Sequence, residues 1–372
     1  MYAKVQTIAQ IIESKAPKHL AESWDNIGLQ VGDPRHEVKK VLVSLDATNE
    51  VIDEAEAKDI DMIVTHHPLI FNPLKSINKN LPLGKKLYKL IKKDISLYVA
   101  HTNFDITSGG INDILAQKLG LEEIQPLQIT SIDSLKKLAV FVPKGHEDRI
   151  RTALASAGAG WIGNYSHCTF QVEGTGTFMP LKGSEPFIGE IGRLEKVEEY
   201  RLETIVHESK LTKAVRAIIS SHPYEEVAYD VYSLDNEGQP FGLGRVGRLP
   251  HKVTLKELIE MVKNVMEVDI VKVAGNLRTE VDKVAICGGS GASTIHQAHF
   301  KGSQVLITGD VKYHQAQEAI GLGLSIIDVG HWESERFAVA ALCEIIKKGL
   351  EDLKSKTEVL QSEIEGKVFE YC

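Results

Sequence analysis

The sequence predicts an α/β protein of two lobes in which an alternating strand–helix domain is interrupted by an α+β insert. Three observations carry this. In residues 1–127 and again in 246–372, short apolar runs alternate with amphipathic stretches at helical spacing, the pattern of parallel strands joined by helical crossovers. Between them, from about Leu138 to the linker-like residues 236–240, the character changes, with several strands, two helices and many turn glycines. The length of 372 residues also exceeds what a single hydrophobic core usually organises.

In chain order, Val5, Ile8, Ile11 and Ile12 fall on one face of a first helix that Pro17 follows. The polar loop Ala21 to Leu29 surrounds Trp24, which reads as a core anchor. Asp25 and Asn26 read as turn hydrogen-bonders, with a site role left open. Val38 to Leu45 is an apolar strand ending at Asp46, Thr48 caps a helix from Asn49 to about Lys58, and residues 62–64 form the next strand. Such a strand–helix–strand unit implies parallel strands and a right-handed crossover. Pro68 prevents that strand from continuing through His66 and His67. A helix from Gly84 to Lys93 leads to the strand Ser96 to Ala100, which enters the polar loop His101 to Asp105. Another helix begins near Gly110, and Leu121 to Gln128 reads as a connector.

In the middle block, strands are expected at Lys137 to Val142, Cys168 to Thr177, Tyr200 to His207 and Val227 to Ser233. Helices are expected at Glu147 to Ala157 and Leu211 to Ser220. This order resembles a ferredoxin-like unit. Its most polar cluster, His222-Pro223-Tyr224-Glu225-Glu226, reads as a solvated loop or an interface rather than a catalytic site. After the linker-like residues 236–240, a helix from Thr254 to Met266 precedes the strand Val281 to Ile286. That strand enters the turn of Gly288, Gly289, Ser290 and Gly291. A glycine-rich turn between strand and helix is either a tight structural turn or an anion cradle of backbone N–H groups; this one matches neither the dinucleotide nor the Walker pattern. Strands Gln304 to Thr308 and Ser325 to Val329 then enter Gly309 to His314 and Gly330 to Glu335. Phe337, Ala340, Ala341, Leu342 and Ile345 make 334–348 a core-facing helix, with Glu335 in its first turn.

Composition excludes several classes. A hydrophobic share of 43% and a charged share of 25% carry no disorder signature. With 43 basic against 51 acidic residues and a net charge of -8, a broad nucleic-acid-binding face is not expected. Cys168, Cys287, Cys343 and Cys372 are scattered without a Cys-x-x-Cys pair, so neither a disulfide framework nor a thiolate zinc site is expected, and a reducing cytoplasm fits. The first twelve residues lack the apolar core of a signal peptide, and no apolar run is long enough to span a membrane.

The chemistry gathers where strands end. His66, His67, Asp105, His331 and Glu335 all follow apolar strands, and ligand sites in parallel sheets lie beyond the carboxyl ends of strands. Asp105 alone could equally cap the helix near Gly110. Taken together, three imidazoles and two carboxylates exceed what one closed tetrahedral ion takes, and suit two ions sharing a carboxylate or water with open positions. Water on such ions loses a proton near neutral pH, so hydrolysis needs no side-chain nucleophile. His101, Asp310 and His314 are then candidates for orienting ligands or transferring protons. A Ser-His-Asp triad is disfavoured, because the residues around Ser290 lack the nucleophile-elbow spacing.

The motifs Ser23-Trp24-Asp25-Asn26-Ile27-Gly28-Leu29, Thr65-His66-His67-Pro68-Leu69-Ile70-Phe71, His101-Thr102-Asn103-Phe104-Asp105, and Gly309 to His314 with Gly330 to Glu335 resemble the Nif-three-like dinuclear metal-centre family. Its bacterial members are commonly described as GTP cyclohydrolase 1 type 2 homologues. The resemblance covers residues 1–127 and 246–372, and implies two divalent ions per subunit on His66, His67, Asp105, His331 and Glu335. Zinc is the default, with iron or manganese as alternatives. Residues 128–245 are similar to the trimer-forming ferredoxin-like insert of longer members. The resemblance further implies a toroidal homohexamer and a metal-dependent hydrolase in which metal-bound hydroxide attacks the imidazole ring of GTP and formate is released. Two alternatives share these residues: a non-catalytic metal-binding ring with a regulatory or interaction role, and a metal-dependent phosphoesterase using Gly288 to Gly291 for phosphate.

Overall fold

In the computed structural model, which describes residues 1–364 and 366–369, the apolar runs form two sheets with parallel centres. Cys372 lies outside the described residues; Cys168, Cys287 and Cys343 are free thiols. In the first sheet Lys40–Ser44, Met62–Thr65 and Ser96–Val99 run parallel. Glu358–Gln361 is added parallel at one edge and Gly28–Val31 antiparallel at the other. In the second, Glu280–Ile286, Val305–Thr308 and Ser325–Asp328 run parallel. Lys272–Ala274 lies outside the last, and Gln239–Thr254 followed by Glu122–Asp133 outside the first. The α/β class read from the sequence is the observed one.

The central strands are buried on both faces, which is why they read as continuous apolar runs rather than alternating ones. Val41, Val43, Met62 and Val64 of one sheet share a core with Val284, Val305, Ile307 and Ile327 of the other. Ile8 and Ile12 of the helix Val5–Glu13, and Leu342 and Ile346 of the helix Phe337–Asp352, belong to the same core. On the opposite face of the first sheet, Leu42, Ile63 and Leu97 pack with Ile52 and Leu90 of the helices Asn49–Ala57 and Pro82–Lys92. The corresponding face of the second sheet packs Ala285, Leu306 and Ile326 with Ile295, Ala298 and Ala319. Burial of each Val, Leu, Ile or Met side chain among these contributes roughly 1.5–3 kcal/mol, offset by the entropy of ordering it. Caps set the helix starts: the Thr48 hydroxyl accepts from the Val51 N–H, and Thr254 with Glu257 forms a capping box.

Four expectations need correction. Residues 121–128 are not a connector, since Glu122–Asp133 is a strand at the edge of the second sheet. Residues 236–240 are not all linker, because the strand Gln239–Thr254 starts within them. The loop after Val99 contains a short helix, Thr102–Ile106, so Asp105 sits inside a helix and does not cap the next one, Ile111–Lys118. The last helical stretch begins earlier than expected: His331–Glu335 forms a short helix ahead of Phe337–Asp352, and Glu335 ends a turn rather than beginning one.

The chain forms two compact units, Met1–Ser131 with Phe241–Cys372, and Ile132–Pro240. The second has its own antiparallel sheet, in the order Tyr229–Ser233, Leu135–Pro143, Glu195–His207, Phe170–Phe178. Leu138, Val140 and Leu202 of that sheet pack with Ile150 and Leu154 of the helix Glu147–Ser156 and with Ala214 and Ile218 of the helix Glu208–Ser221. Its chain order is strand, helix, two strands, helix, strand. Among the described residues, no helix is long and apolar enough to cross a membrane.

Candidate metal centre

The parallel strands of both sheets release their polar residues toward one place. Ser44 leads to Asp46, Thr65 to His66 and His67, Val99 to His101, Thr308 to Asp310, and Asp328 to His331. The short helices Thr102–Ile106 and His331–Glu335 add Asp105 and Glu335. His331 and Glu335 stand four residues apart, one helical turn, with His331 Nε2 2.9 Å from Glu335 Oε2.

Glu335 is the hub. Its Oε2 also lies 2.8 Å from His67 Nε2, and its Oε1 lies 3.9 Å from His66 Nε2. His66 Nε2 is 3.4 Å from Asp105 Oδ1, and His67 Nε2 is 3.2 Å from His331 Nε2. Three sets of donor atoms lie within 4.8 Å of one another: His67, His331 and Glu335; His66, Asp105 and Glu335; and His66, His67 and His101. All five residues expected to be ligands therefore converge, with His101 beside them.

Each imidazole is oriented by its other nitrogen. Nδ1 of His66 faces the Ala100 carbonyl at 2.8 Å, that of His67 faces Asp46 at 2.9 Å, that of His331 faces Asp310 at 2.7 Å, and that of His101 faces Asp25 at 2.9 Å. A proton held on Nδ1 by such an acceptor leaves the Nε2 lone pair for a metal ion, the usual arrangement around ligating histidines. Asp46 was not recognised as part of the site; the available signal was its position at the end of the strand that pairs beside Met62–Thr65. Asp25 acts beyond turn formation, since its carboxylate also accepts from the Thr102 hydroxyl at 2.6 Å.

The electrostatics call for cations. Burial opposes charge on His67, but Asp46 and Glu335 outweigh it and lift its pKa to about 10. His331 is raised to about 9, mainly by its hydrogen bond to Glu335, against the effect of burial. Burial likewise opposes ionisation of Glu335, yet His331, His66 and His67 hold it well below the usual carboxylate range. Asp105 moves the other way, because burial and then the Glu335 charge outweigh the neighbouring imidazoles. His66 Nε2 and Asp105 Oδ1 are fully buried without a hydrogen-bond partner. Orphaned buried donor atoms of this kind are costly unless a cation joins them, so the residues fit divalent metal ions.

The glycine turn beside the site makes room for Glu335. A Cβ on Gly289 would lie 2.1 Å from Glu335 Oε1, and its φ of +61° is a left-handed conformation that glycine adopts without strain. The N–H groups of Gly288, Gly289 and Gly291 donate to Asn112 Oδ1, Ser334 Oγ and Thr308 Oγ1. Three of the four amides that an anion cradle would use here are thus engaged within the protein, as in a tight structural turn; among the described residues, that of Ser290 remains. The structure does not bring His314 to the group. It is exposed on the helix Tyr313–Gly321, with Nδ1 3.2 Å from Gln317 Oε1.

Residues 3–367 match the Duf34/NIF3 (NGG1p interacting factor 3) family. The chain belongs to that family. Relatives named GTP cyclohydrolase 1 type 2 homolog include those of Halalkalibacterium halodurans, 46% identical over 369 residues and 99% of each chain, and of Bacillus subtilis, 46% identical over 359 residues, 95% of this chain and 96% of that one. A Bacillus cereus protein related to NIF3 has a similar solved structure, with a TM-score of 0.93, 44% identity and full coverage of both chains.

In this NIF3-family chain the polar group opens on a cavity of about 420 Å³. Trp24 and Phe71 line it at a ring-centroid distance of 5.7 Å, 55% and 49% exposed. Trp24 is therefore an exposed wall of this cavity rather than a core anchor. Pro68, Leu243 and Cys287 add to its apolar lining, and burial pushes the Cys287 thiol far up, so it stays protonated.

Proposed function

We propose that the protein is a dinuclear metal-dependent hydrolase of the GTP cyclohydrolase 1 type 2 kind, opening the imidazole ring of GTP with release of formate. The observation that carries this reading is the convergence of two donor sets on one shared carboxylate, Glu335, beside an apolar, aromatic-edged cavity. His67, His331 and Glu335 would hold one ion, and His66, Asp105 and Glu335 the other. Divalent ions there, zinc by default with iron or manganese as alternatives, would acidify water and polarise the bond attacked. The chain supplies the rest. Asp46 and Asp310 keep His67 and His331 in the tautomer that presents Nε2. Trp24 and Phe71 offer faces on which a planar base can stack, at about 1–3 kcal/mol per stacked base. His101, held by Asp25 and lining the same cavity, would hand a proton to the ring nitrogen that leaves the attacked carbon. The relatives' name supports the substrate class. A phosphoesterase is less well supported, because the Gly288, Gly289 and Gly291 amides already have acceptors.

The test is formate release from GTP by metal-loaded protein. Turnover is expected, and should be lost in folded His67→Ala and Glu335→Ala variants. Unchanged turnover in these variants would overturn the assignment of the site. Stoichiometric metal without formate from the parent protein would favour a non-catalytic ring.

The reading extends to a cytoplasmic homohexamer in which 128–245 is a ferredoxin-like, trimer-forming insert. Support comes from the edge strand Phe170–Phe178, which exposes Phe170 and Val172, an edge that proteins normally cover. Light scattering should give six times the 41.1 kDa chain mass, and a monomer would sink this assignment.

A further inference from the structure

The cluster His222-Pro223-Tyr224-Glu225-Glu226, in the unit Ile132–Pro240, takes no part in the metal centre. His222 follows the helix Glu208–Ser221 and is a clip: Nε2 is 3.0 Å from the Phe141 carbonyl, and Nδ1 accepts from the Tyr224 N–H at 3.1 Å. Both ring nitrogens are used, so the ring fixes the turn that presents Tyr224. The Tyr224 hydroxyl donates to Glu199 Oε1 at 2.9 Å, on the strand Glu195–His207.

Glu199 is only 8% exposed, and among the described residues its carboxylate accepts this one hydrogen bond. On the neighbouring strand, a Cβ at Gly176 would lie 2.1 Å from Glu199 Oε2, so the absent side chain there is what admits the carboxylate. Glu199 borders a cavity of about 390 Å³ that Phe178, Phe187 and Tyr224 also line. The ring centroids of Phe178 and Phe187 stand 5.9 and 6.2 Å from that of Tyr224. Glu225 and Glu226 add two carboxylates, and no lysine or arginine is among the lining residues. Lys144, in the turn after the strand Leu135–Pro143, is engaged with Glu173 and Glu198.

A nearly buried carboxylate with one hydrogen bond is costly unless a cation meets it, and aromatic faces attract cations rather than anions. We propose that this cavity binds a small organic cation, an ammonium or guanidinium on an apolar body, with its charge on Glu199 and its hydrocarbon between Phe178, Phe187 and Tyr224. The site gives the second unit a ligand of its own, independent of the hydrolytic reading.

The test uses the full chain with benzylammonium chloride, benzyl alcohol as the isosteric neutral control and benzoate as an anionic one, followed by calorimetry and saturation-transfer NMR. Benzylammonium should bind saturably at one per chain. Benzyl alcohol should bind about tenfold more weakly or worse, the loss expected when a cationic donor to a buried carboxylate is replaced by a neutral one, and benzoate should not bind. Glu199→Gln should weaken benzylammonium by a similar factor, and Phe187→Ala, at an exposed ring, provides a second variant should Glu199→Gln fail to fold. Equal binding of alcohol and ammonium, unchanged binding in the folded variants, or no saturable binding by the parent protein would each overturn the proposal.

Discussion

At the scale of single residues, the centre depends on what stands behind each histidine. His67 is held between Asp46 on Nδ1 and Glu335 at Nε2, so Asp46 acts on a metal ion only through the ring it orients. Asp46→Ala frees that ring to rotate and to change tautomer. The metal affinity of the site should fall about 10- to 100-fold, the usual cost of losing such a partner. Competition with a chromophoric chelator measures this directly, and an unchanged affinity would show that His67 needs no anchor. Asp46 stood at a predicted strand end, but its partner depends on which strand lies next to which. The strand–helix–strand unit brings that end near His66 and His67, but a linear reading does not show which of the two turns its Nδ1 to the carboxylate. The convergence of His66, His67, Asp105, His331 and Glu335 was legible, because each follows an apolar run, and such sheets present their strand ends together.

At the scale of elements, legibility followed burial. Four-residue strands such as Met62–Thr65 and Val305–Thr308 are buried throughout, and their apolar runs announce them. Glu122–Asp133 was missed because it is an edge strand carrying Glu122, Glu123, Gln125 and Pro126, tolerable where one side of the ladder is unpaired. The short helix Thr102–Ile106 is fixed by tertiary partners, Thr102 by Asp25 and Asn103 by the Ala16 carbonyl, and no propensity foretells it. Its C-terminal end is pinned by Arg245, which is 3% exposed, donates to the carbonyls of Ile106 and Thr107, and forms a double ion pair with Asp113. Arg245→Met takes the ionic partner from Asp113, leaving it the Gly109 N–H, and removes a donor from each of the two carbonyls. The loss should be about 3–5 kcal/mol, as when one partner of a buried pair is removed. Combining it with Asp113→Leu should recover part of the loss in a denaturant titration, whereas a stable single variant would show the pair to be dispensable.

At the scale of the whole molecule, the same charges tie folding, pH and metal together. His67 and His331 have folded-state pKa values raised to about 10 and about 9 from an ordinary 6.5. A raised pKa adds stability that is complete below about pH 6.5 and declines as pH rises through the folded value. Glu335 is depressed below its ordinary 4.5, so its contribution is present above that value and is lost as pH falls through the folded one. For chelator-stripped protein the two trends leave a stability maximum between roughly pH 5 and 6.5, followed by a decline toward pH 9. A divalent ion such as zinc would replace the protons on His67 and His331, so loading at pH 7 should release at least about two protons per chain, measurable with an indicator in weak buffer. Because the loaded protein no longer needs those protons, its Tm should hold at alkaline pH while that of the stripped protein falls. The gap between the two should widen steadily from about pH 6 to 9. A gap that stays constant across this range, or loading without proton release, would mean that the imidazoles of the stripped protein are already neutral and that the carboxylates around Glu335 do not govern them.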